Sequence, residues 1–390
     1  MRASGEEGEL TTAQVADYLG VKVQTVYAYV SRGVLTPLRR DPSRGSLFAL
    51  TDVRELAGRP RAGRRRPATS EDVRTSVTEI GAGRLAYRGH EVSALVGRTS
   101  FEEVRALLTG HPGEEPAALK SSSDRAALGA VLDALPPGTG LLDRFKHAVL
   151  VAGATDPGRQ DRRPEALAHA GRRAAAFMAL SVPGAGDPGR GLAELLHPAL
   201  EPCPGAVVEA ALVLLADHDL AVSTTAVRVA VSSGADAYSA LLAGLAAADS
   251  PLHMTASVQV VDWLGPALDA PQDALDAALA GGRAPGFGHV VYTEQDPRAQ
   301  PLLEAIRGDV PAQRWEALRW LEDELLERRG WVLTVDVALA MLVLTYGLPR
   351  WGGVALFACA RTAGWTAHAI EELAEPGMRF RLRGVYSGPR

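Results

Sequence analysis

From residue 73 onward, the sequence consists mainly of Ala- and Leu-rich runs whose apolar residues recur at helical spacing. FEEVRALLTG, RRAAAFMALS and VVEAALVLLADH are examples, and Pro and Gly separate such runs. Apolar residues at every third or fourth position indicate helices with one buried face, whereas the alternation that is typical of strands is scarce. The pattern predicts an all-α bundle of many helices, and the frequent Ala indicates close contact between them.

Length, charge and cysteine usage narrow the class of protein. A chain of 390 residues with a net charge of only −5 can bury a large core and is predicted to form more than one domain. Its two cysteines, Cys203 and Cys359, are too few for a disulfide framework and too far apart for a metal site, so we expect a reducing compartment and no bound metal. The first ten residues, MRASGEEGEL, lack the layout of a secretion signal, which favours the cytoplasm.

One apolar stretch, WVLTVDVALAMLVLTYGL from Trp331 to Leu348, is long enough to cross a membrane. It contains Asp336, which is costly in lipid, and the rest of the chain offers no second span and no flanking basic cluster. We therefore predict a buried core helix that carries one carboxylate, and no association with a membrane.

The segment LTTAQVADYLGVKVQTVYAYVSRGVLTP predicts two short helices joined by a tight turn. Thr11 and Gln14 have the spacing of a capping box at the start of the first helix, which Gly20 ends. The second helix is predicted over about Val23 to Ser31, and an Arg-rich, hairpin-like stretch and a further helix follow. This is a helix-turn-helix layout, in which the second helix can enter the major groove of DNA.

Residues 9–57 resemble the winged helix-turn-helix domains of the MerR and excisionase type. Between residues 22 and 66, the chain has eleven Lys and Arg side chains and only three acidic ones, an excess that suits contact with phosphates. Two alternatives are that the module docks proteins and that the Arg-rich segment is merely solvated. We predict a DNA-binding module in residues 1–57 and an Arg/Pro-rich linker in residues 58–72. The predicted DNA contacts are Lys22, Gln24, Thr25 and Arg32.

The residues that are able to carry out chemistry are concentrated in a few segments of the helical part. Arg guanidinium groups pair with carboxylates, so several of them imply a small di- or tricarboxylate ligand. A carboxylate in an apolar helix has a raised pKa, which suits removal of a proton from a weakly acidic C–H group. Neutral His side chains can donate hydrogen bonds to an enol and to a carbonyl oxygen. The candidates are His218, His253, His289, Asp336, Arg298, Arg361, Arg381 and Arg383.

The segments LADHDLAVST, DSPLHMTAS, PGFGHVVYTEQDPRA, TVDVALAML, ARTAGWTAHAIEE and RFRLRGVYSGP follow one another in this order. In that order they resemble citrate synthase, and GRLAYRGHEVSALVGRTSFEEVRALLTGHPG is similar to the opening of that family. The likeness covers nearly all of the chain from about residue 75 to residue 390. It implies a two-domain helical fold with a large domain in residues 73–255 and 359–390 and a small domain in residues 256–358.

The resemblance implies that a short acyl-CoA, such as acetyl-CoA or propionyl-CoA, is condensed with oxaloacetate or a similar α-keto acid. Asp336 would remove the α-proton of the acyl-CoA, His253 would hold the thioester oxygen of the enol, and His289 would polarise the keto carbonyl. Hydrolysis would then release CoA. The acyl-CoA is thus a co-substrate, and the resemblance implies no permanently bound cofactor. The resemblance assigns keto-acid binding to His218, Arg298, Arg361 and Arg381, and contact with the CoA chain to Gly286, Phe287 and Gly288.

The resemblance also implies a homodimer, in which Arg381 would reach the partner subunit. Structural roles are the alternative for several of these residues. His218 can be a satisfied core histidine, Asp336 can cap a helix, and Arg361 or Arg381 can form a surface or interface ion pair. The motif that contains Arg361 has two further residues that we expect only to pack, Trp365 and His368.

Several neighbours of the candidate residues depart from the family pattern. Ala221 stands where the family has Asn, and Leu215 replaces the first His of HADHE. The family's HGGAN has become HMTAS, in which Met254 and Thr255 replace glycines, and Ser257 replaces Asn. Together with the fused helix-turn-helix module, these changes leave a second function open, namely a sensor of acyl-CoA or keto acid that regulates transcription by binding DNA. The enzyme is the main prediction, because a sensor has little need of a catalytic base.

Overall fold

The computed structural model describes residues 9–19, 21–42, 44–58, 73–81, 83–112, 121–187, 191–289 and 291–380. Most of these residues lie in helices, which confirms the all-α prediction for the main body. The strands are β1 (Glu9–Thr11), β2 (Arg39–Asp41), β3 (Gly45–Ala49), β4 (Thr78–Gly81), β5 (Arg84–Tyr87) and β6 (His90–Glu91).

The helices are numbered in chain order, and a short 3-10 turn, His197–Leu200, lies between the ninth and the tenth. They are α1 (Thr12–Tyr18), α2 (Val23–Ser31), α3 (Leu50–Gly58), α4 (Val92–Leu95), α5 (Phe101–Thr109), α6 (Ser122–Asp133), α7 (Leu141–Ala154), α8 (Pro164–Leu180), α9 (Leu192–Leu196), α10 (Gly205–Leu215), α11 (Val222–Ser232), α12 (Ala237–Ala248), α13 (Ala256–Asp269), α14 (Pro271–Gly281), α15 (Ala299–Ile306), α16 (Ala312–Arg329), α17 (Val335–Tyr346) and α18 (Gly352–Leu373).

The described residues between Glu9 and Gly58 form the predicted helix-turn-helix module. The backbone N–H of Thr11 donates to Gln14 Oε1 over 2.8 Å, and the backbone N–H of Gln14 donates to Thr11 Oγ1 over 3.3 Å, so the predicted capping box is present. Helix α2 has the predicted bounds. Strands β1, β3 and β2 form a three-stranded antiparallel sheet in that order, and α3 follows β3 directly. Val15, Val26 and Phe48 are among the buried residues of its core.

A second small sheet precedes the helical body and was not predicted. Strands β4, β5 and β6 form it in sequence order, and all pairs are antiparallel. The strands have only two to four residues each, so they are too short to show an alternating pattern that can be distinguished from the helical runs around them.

The chain divides into two compact units. The first consists of the described residues up to Arg74 together with Asp262–Asp296 and Val310–Val337. The second consists of Thr75–Val261, Pro297–Asp309 and the described residues from Ala338 onward. The domain borders predicted after residues 57, 72, 255 and 358 stay a prediction.

The apolar stretch from Trp331 to Leu348 is only partly helical, which corrects the prediction of a helix along its whole length. Helix α17 begins at Val335, and Leu333 instead forms an antiparallel bridge with Phe287. The pairing of the preceding segment accounts for the late start, because both the N–H and the hydroxyl of Thr334 donate to the carbonyl oxygen of Gly286. Within the described residues, no helix is long and apolar enough to cross a membrane.

Helix α18 is the central element of the second unit. Nineteen of its residues are buried, and it packs against α5, α8, α10, α11 and α12. A helix that is buried on all sides cannot show an amphipathic pattern, and its polar side chains therefore need partners inside the protein. These partners define one part of the candidate site.

Candidate active site

The predicted site residues that the structure describes fall into two groups, one in each compact unit. The first unit contains His289, Asp336 and the glycine loop, which is the name used here for residues 286–288. The second unit contains His218, His253, Arg298 and Arg361. Arg381 and Arg383 lie outside the described residues.

In the first unit, the glycine loop pairs with the segment that leads into α17. The Gly288 N–H donates to the carbonyl oxygen of Val332 over 2.8 Å, and both the N–H and the hydroxyl of Thr334 donate to the carbonyl oxygen of Gly286 over 3.0 and 2.9 Å. Gly286 and Gly288 have φ angles of +79° and +88°, which lie in the left-handed region that L side chains rarely adopt. The two glycines therefore allow the loop to turn beside this segment.

His289 follows this loop, and its tautomer is determined by the backbone. The Nδ1 atom accepts the N–H groups of Val291 and Tyr292 over 3.0 and 3.2 Å. Since Nδ1 is an acceptor, a neutral imidazole carries its proton on Nε2, and this N–H can donate to a ligand carbonyl oxygen. The ring also lies 4.7 Å from that of Tyr292, measured between centroids.

Asp336 is a half-buried residue in the first turn of α17, where a carboxylate is stabilised by the positive end of the helix dipole. One of its oxygens lies 3.5 Å from the hydroxyl of Thr334, and the Val335 N–H at the helix start is taken by Asp296 Oδ2 over 2.9 Å. Asp296, which is buried, thus caps the N–H at the start of this helix.

Phe287 is packed rather than exposed. Its ring is only 8% exposed and lies edge-on to Trp263 at a centroid distance of 5.9 Å. Phe287 therefore contributes to the packing of this unit, and its predicted contact with the CoA chain stays a prediction.

In the second unit, His253 lies in the turn between α12 and α13 and is held by Ser223. The distance between its Nε2 and Ser223 Oγ is 2.8 Å, and Trp365 Nε1 donates to the same hydroxyl over 3.3 Å. Ser223 can then donate its own proton to Nε2, which leaves the imidazole proton on Nδ1. Trp365 was expected only to pack, but it also donates a hydrogen bond to the residue that holds His253.

Burial, together with the positive charges of Arg361 and Arg298, lowers the pKa of His253 to about 4. The imidazole is therefore neutral at physiological pH and can serve as a hydrogen-bond donor without a charge.

Arg361 and Arg298 are buried cations of the second unit. Arg361 is fully buried, which excludes the surface ion pair as its role, and Arg298 is 4% exposed at the start of α15. The guanidinium of Arg361 lies 4.6 Å from the centroid of the Phe357 ring, and His253 meets the same ring edge-on at 6.0 Å. Phe357 thus brings the imidazole and the guanidinium to one place. Buried guanidinium groups are suited to binding carboxylates.

His218 is half-buried in the turn between α10 and α11. The residue before it, Asp217, is fully buried, and its carboxylate accepts from Thr78 Oγ1 over 2.5 Å and from the Asp219 N–H over 3.1 Å. Although burial raises the pKa of Asp217, the opposing effects of His368, Arg361 and the Thr78 hydroxyl leave it below its ordinary value. A permanent charge therefore lies next to His218.

The residues that depart from the family pattern have different surroundings. Met254 has no exposed surface, so its side chain does not line open space, and Ser257 is likewise buried. Ser257 Oγ donates to the carbonyl oxygen of Met254 over 3.4 Å. Ala221 lies directly before α11 and leaves Val222, which is 73% exposed, at the first helical position.

The predicted DNA contacts lie on α2 and beside it. Lys22, Gln24 and Arg32 are exposed, whereas Thr25 is half-buried. Arg32 is partly committed to its own module, because its Nε donates to the carbonyl oxygen of Ala28 over 2.9 Å.

Two parts of the chain match models of known protein families. Residues 70–383 match the model of the citrate synthase C-terminal domain, and residues 9–59 match a helix-turn-helix domain. A citrate synthase of Saccharolobus solfataricus is 32% identical over 47% of this chain and 52% of that protein. The 2-methylcitrate synthase 1 of Corynebacterium glutamicum is 28% identical over 80% of this chain and 92% of that protein.

A solved structure from Thermoplasma acidophilum, a ternary complex of carboxymethyl coenzyme A and oxaloacetate with citrate synthase, is also similar. It is 25% identical, covers 82% of this chain and 94% of its own chain, and gives a TM-score of 0.69. The chain therefore belongs to the citrate synthase family. It is a citrate synthase-like or 2-methylcitrate synthase-like transferase with an N-terminal helix-turn-helix domain, and its family uses CoA substrates without a permanent cofactor.

The sequence analysis did not identify Ser223, Asp217 or Thr78 as site residues. Ser223 and Asp217 lie within the LADHDLAVST segment, so the motif itself was a signal. Thr78 gave no such signal, because its partner is 139 residues away.

Proposed function

We propose that the protein condenses a short acyl-CoA with oxaloacetate or a similar α-keto dicarboxylate and releases CoA. The observation that carries this proposal is the environment of His253. This residue is hydrogen-bonded to Ser223 and is neutral at physiological pH, because burial and the positive charges of Arg361 and Arg298 lower its pKa. A neutral donor beside two buried cations suits a reaction in which an enol meets a dicarboxylate.

The reaction begins when Asp336 removes an α-proton of the acyl-CoA. His253 donates to the thioester oxygen, on which the enol charge develops. The enol carbon then forms a bond to the keto carbon, whose oxygen accepts the Nε2–H of His289. Water finally cleaves the thioester, so that CoA leaves as the thiol and the new carboxylate makes the reaction run forward.

His218, Arg298 and Arg361 bind the carboxylates of the keto acid in this proposal, and Arg381 of a homodimer partner completes the set. The backbone of Gly286, Phe287 and Gly288 contacts the CoA chain. The acyl group is acetyl or propionyl.

A direct test is to measure CoA release from acetyl-CoA and propionyl-CoA in the presence of oxaloacetate. Asp336→Asn is expected to lower turnover by about a thousandfold or more, since the general base is lost. Asp273→Asn is a matched control, because Asp273 is also in the first turn of a helix but is exposed. If the wild-type protein releases CoA no faster than Asp336→Asn with either acyl-CoA, the proposal is wrong.

A specific contact favours a second function, namely transcriptional regulation by ligand-dependent binding of DNA. The ring of Tyr18, at the end of α1, lies so close to Gly330 that a Cβ atom there would be 2.3 Å from Tyr18 Cε2. Gly330 precedes the segment that pairs with the glycine loop, so the helix-turn-helix module touches the chain six residues before Asp336. A ligand that rearranges this segment would act on the module.

This second function is tested by titrating a labelled DNA duplex pool with the protein at about 50 mM and about 200 mM salt, since phosphate contacts make affinity fall steeply with salt. Acyl-CoA and oxaloacetate are added in parallel titrations. Lys22→Ala and Gln24→Ala are expected to weaken binding, whereas Thr139→Val, in the second unit, is a control. Equal and negligible binding under all conditions would exclude the regulator.

A further inference from the structure

The turn that carries His218 is attached to one face of α18. Arg361 Nε donates to the carbonyl oxygen of Leu215 over 3.0 Å, and the Gly364 N–H donates to the carbonyl oxygen of Ala216 over 3.0 Å. One turn further along the same helix, His368 Nε2 lies 3.3 Å from Asp217 Oδ2. The last residue of α10 and the first two residues of the turn thus contact three residues of α18. These three are separated by three and four positions and therefore share a helix face.

The close approach at the middle contact depends on Gly364. A Cβ atom at this position would lie 2.0 Å from Asp217 Oδ1 and 2.7 Å from the carbonyl oxygen of Ala216. No larger residue fits without displacement of the turn.

On its other side, His368 is fixed by Arg228. Arg228 Nη1 donates to His368 Nδ1 over 2.9 Å, and because a guanidinium only donates, Nδ1 must be an acceptor. The imidazole proton therefore lies on Nε2 and points to Asp217. Arg228 is itself oriented by Glu371 and Glu372, at 2.7 and 2.8 Å.

The turn cannot relax easily into another shape. Asp219 has a φ angle of +51°, which is uncommon for a residue other than glycine. Its N–H is held by the carboxylate of Asp217, and the phenol of Tyr87 accepts the Asp217 N–H over 3.1 Å. His218 lies between these two fixed residues.

We propose that His368 is a positioning residue for keto-acid binding, which acts through Asp217 to fix the turn and so to orient His218. Arg228 donates to His368, and His368 donates to Asp217. Asp217 in turn accepts the N–H of Asp219, so these contacts fix the backbone on both sides of His218. This inference rests on the proposed function, in which His218 binds the keto acid.

The test is calorimetric titration of the full-length protein with oxaloacetate, together with steady-state turnover. His368→Leu removes both the acceptor and the donor, whereas His368→Gln keeps an oxygen for Arg228 and an N–H for Asp217. Cys359→Ala is the control, because Cys359 is fully buried in the same helix but is not one of the three residues, Arg361, Gly364 and His368, whose polar contacts are described above.

His368→Leu is expected to raise the Kd and the KM for oxaloacetate by about tenfold or more, the equivalent of a lost buried hydrogen bond. The KM for the acyl-CoA should change by less than about twofold, because His218 does not bind that substrate in the proposed function. His368→Gln should recover most of the oxaloacetate affinity, and Cys359→Ala should leave both constants unchanged.

Three outcomes would overturn the inference. The first is unchanged oxaloacetate affinity in His368→Leu, and the second is an equal rise of both KM values, which would indicate a general structural defect. If the wild-type protein itself neither binds nor turns over oxaloacetate, the proposed function is wrong, and so is this inference, which rests on it. The wild-type titration therefore distinguishes the two failures.

Discussion

The backbone N–H of Gly288 donates to the carbonyl oxygen of Val332 over 2.8 Å, and this bond joins the loop of His289 to the segment that ends at Asp336. Two candidate catalytic residues that are 47 positions apart in sequence are thus attached to one pair of short, antiparallel segments. A change in the pairing is expected to move both of them together.

Thr334→Val tests the pairing between the loop that carries His289 and the segment that leads to Asp336. The substitution preserves the shape of the side chain but removes the hydroxyl that donates to the carbonyl oxygen of Gly286 over 2.9 Å. We expect the free energy of unfolding to fall by about 1 kcal/mol. Turnover should fall even where the variant is fully folded, because the loop that carries His289 loses one of its three hydrogen bonds to this segment. CoA release and chemical denaturation measure the two effects.

Thr139→Val is the control for this experiment, since its hydroxyl also donates to a backbone carbonyl, that of Pro136. It should leave turnover unchanged. Equal turnover in Thr334→Val and in the wild-type protein would contradict a role of the pairing in catalysis.

Gly364→Ala is expected to be far more damaging than the same substitution elsewhere in α18. At Gly364, the new methyl group would overlap the carboxylate of Asp217, whereas at Gly352 the nearest atom is 3.4 Å away. We expect a loss of about 1–3 kcal/mol of stability or more for Gly364→Ala, and a change under about 1 kcal/mol for Gly352→Ala. Urea denaturation monitored by circular dichroism gives both values. Similar stabilities for the two variants would show that the turn is not in close contact with α18.

The stability of the protein should depend on pH through His253. Its pKa is lowered from an ordinary value of 6.5 to about 4, so between these values the unfolded chain binds more protons than the folded protein. The stabilising contribution is complete above pH 6.5 and is lost as the pH falls toward 4. His253→Gln should therefore show a weaker decrease in the free energy of unfolding over this range. An identical pH dependence in the variant would mean that folding does not shift the pKa of His253.

Substitution of Gly330 tests its contact with Tyr18, because the steric cost of a new methyl group can be separated from the cost of a left-handed φ angle. Gly330 and Gly347 both have left-handed φ angles, of +67° and +62°, but only Gly330 has a neighbour within 4 Å. Gly347→Ala should cost about 1 kcal/mol for the backbone alone, and Gly330→Ala should cost more. The added cost should disappear in the double variant with Tyr18→Ala. A Gly330→Ala cost that Tyr18→Ala leaves unchanged would exclude packing of the module at this position.

Local patterns were sufficient to predict the parts of the fold that depend on neighbouring residues. The capping box of Thr11 and Gln14 and the bounds of α2 could be read from spacings of three and four residues. The start of α17 could not, because Thr334 makes its hydrogen bond to Gly286, 48 positions earlier.

The same limit applies to the candidate site. The histidines, Asp336 and the arginines were found because imidazole, carboxylate and guanidinium groups are concentrated in a few segments of the apolar, helical part, and the family resemblance then assigned roles to them. His368 was expected only to pack, because its partner Asp217 lies 151 positions away and no periodicity connects the two. Buried polar contacts between distant segments are visible only once the chain has folded.

The attachment of the His218 turn along α18 limits how this helix can vary. Each residue of a helix turns the chain by about 100°, so a single insertion or deletion between Arg361 and His368 would rotate one end of the contact row away from the turn. Side chains on the remaining faces of α18 can be exchanged for others of similar volume, but the number of residues between these two positions cannot change without separating the turn from its support.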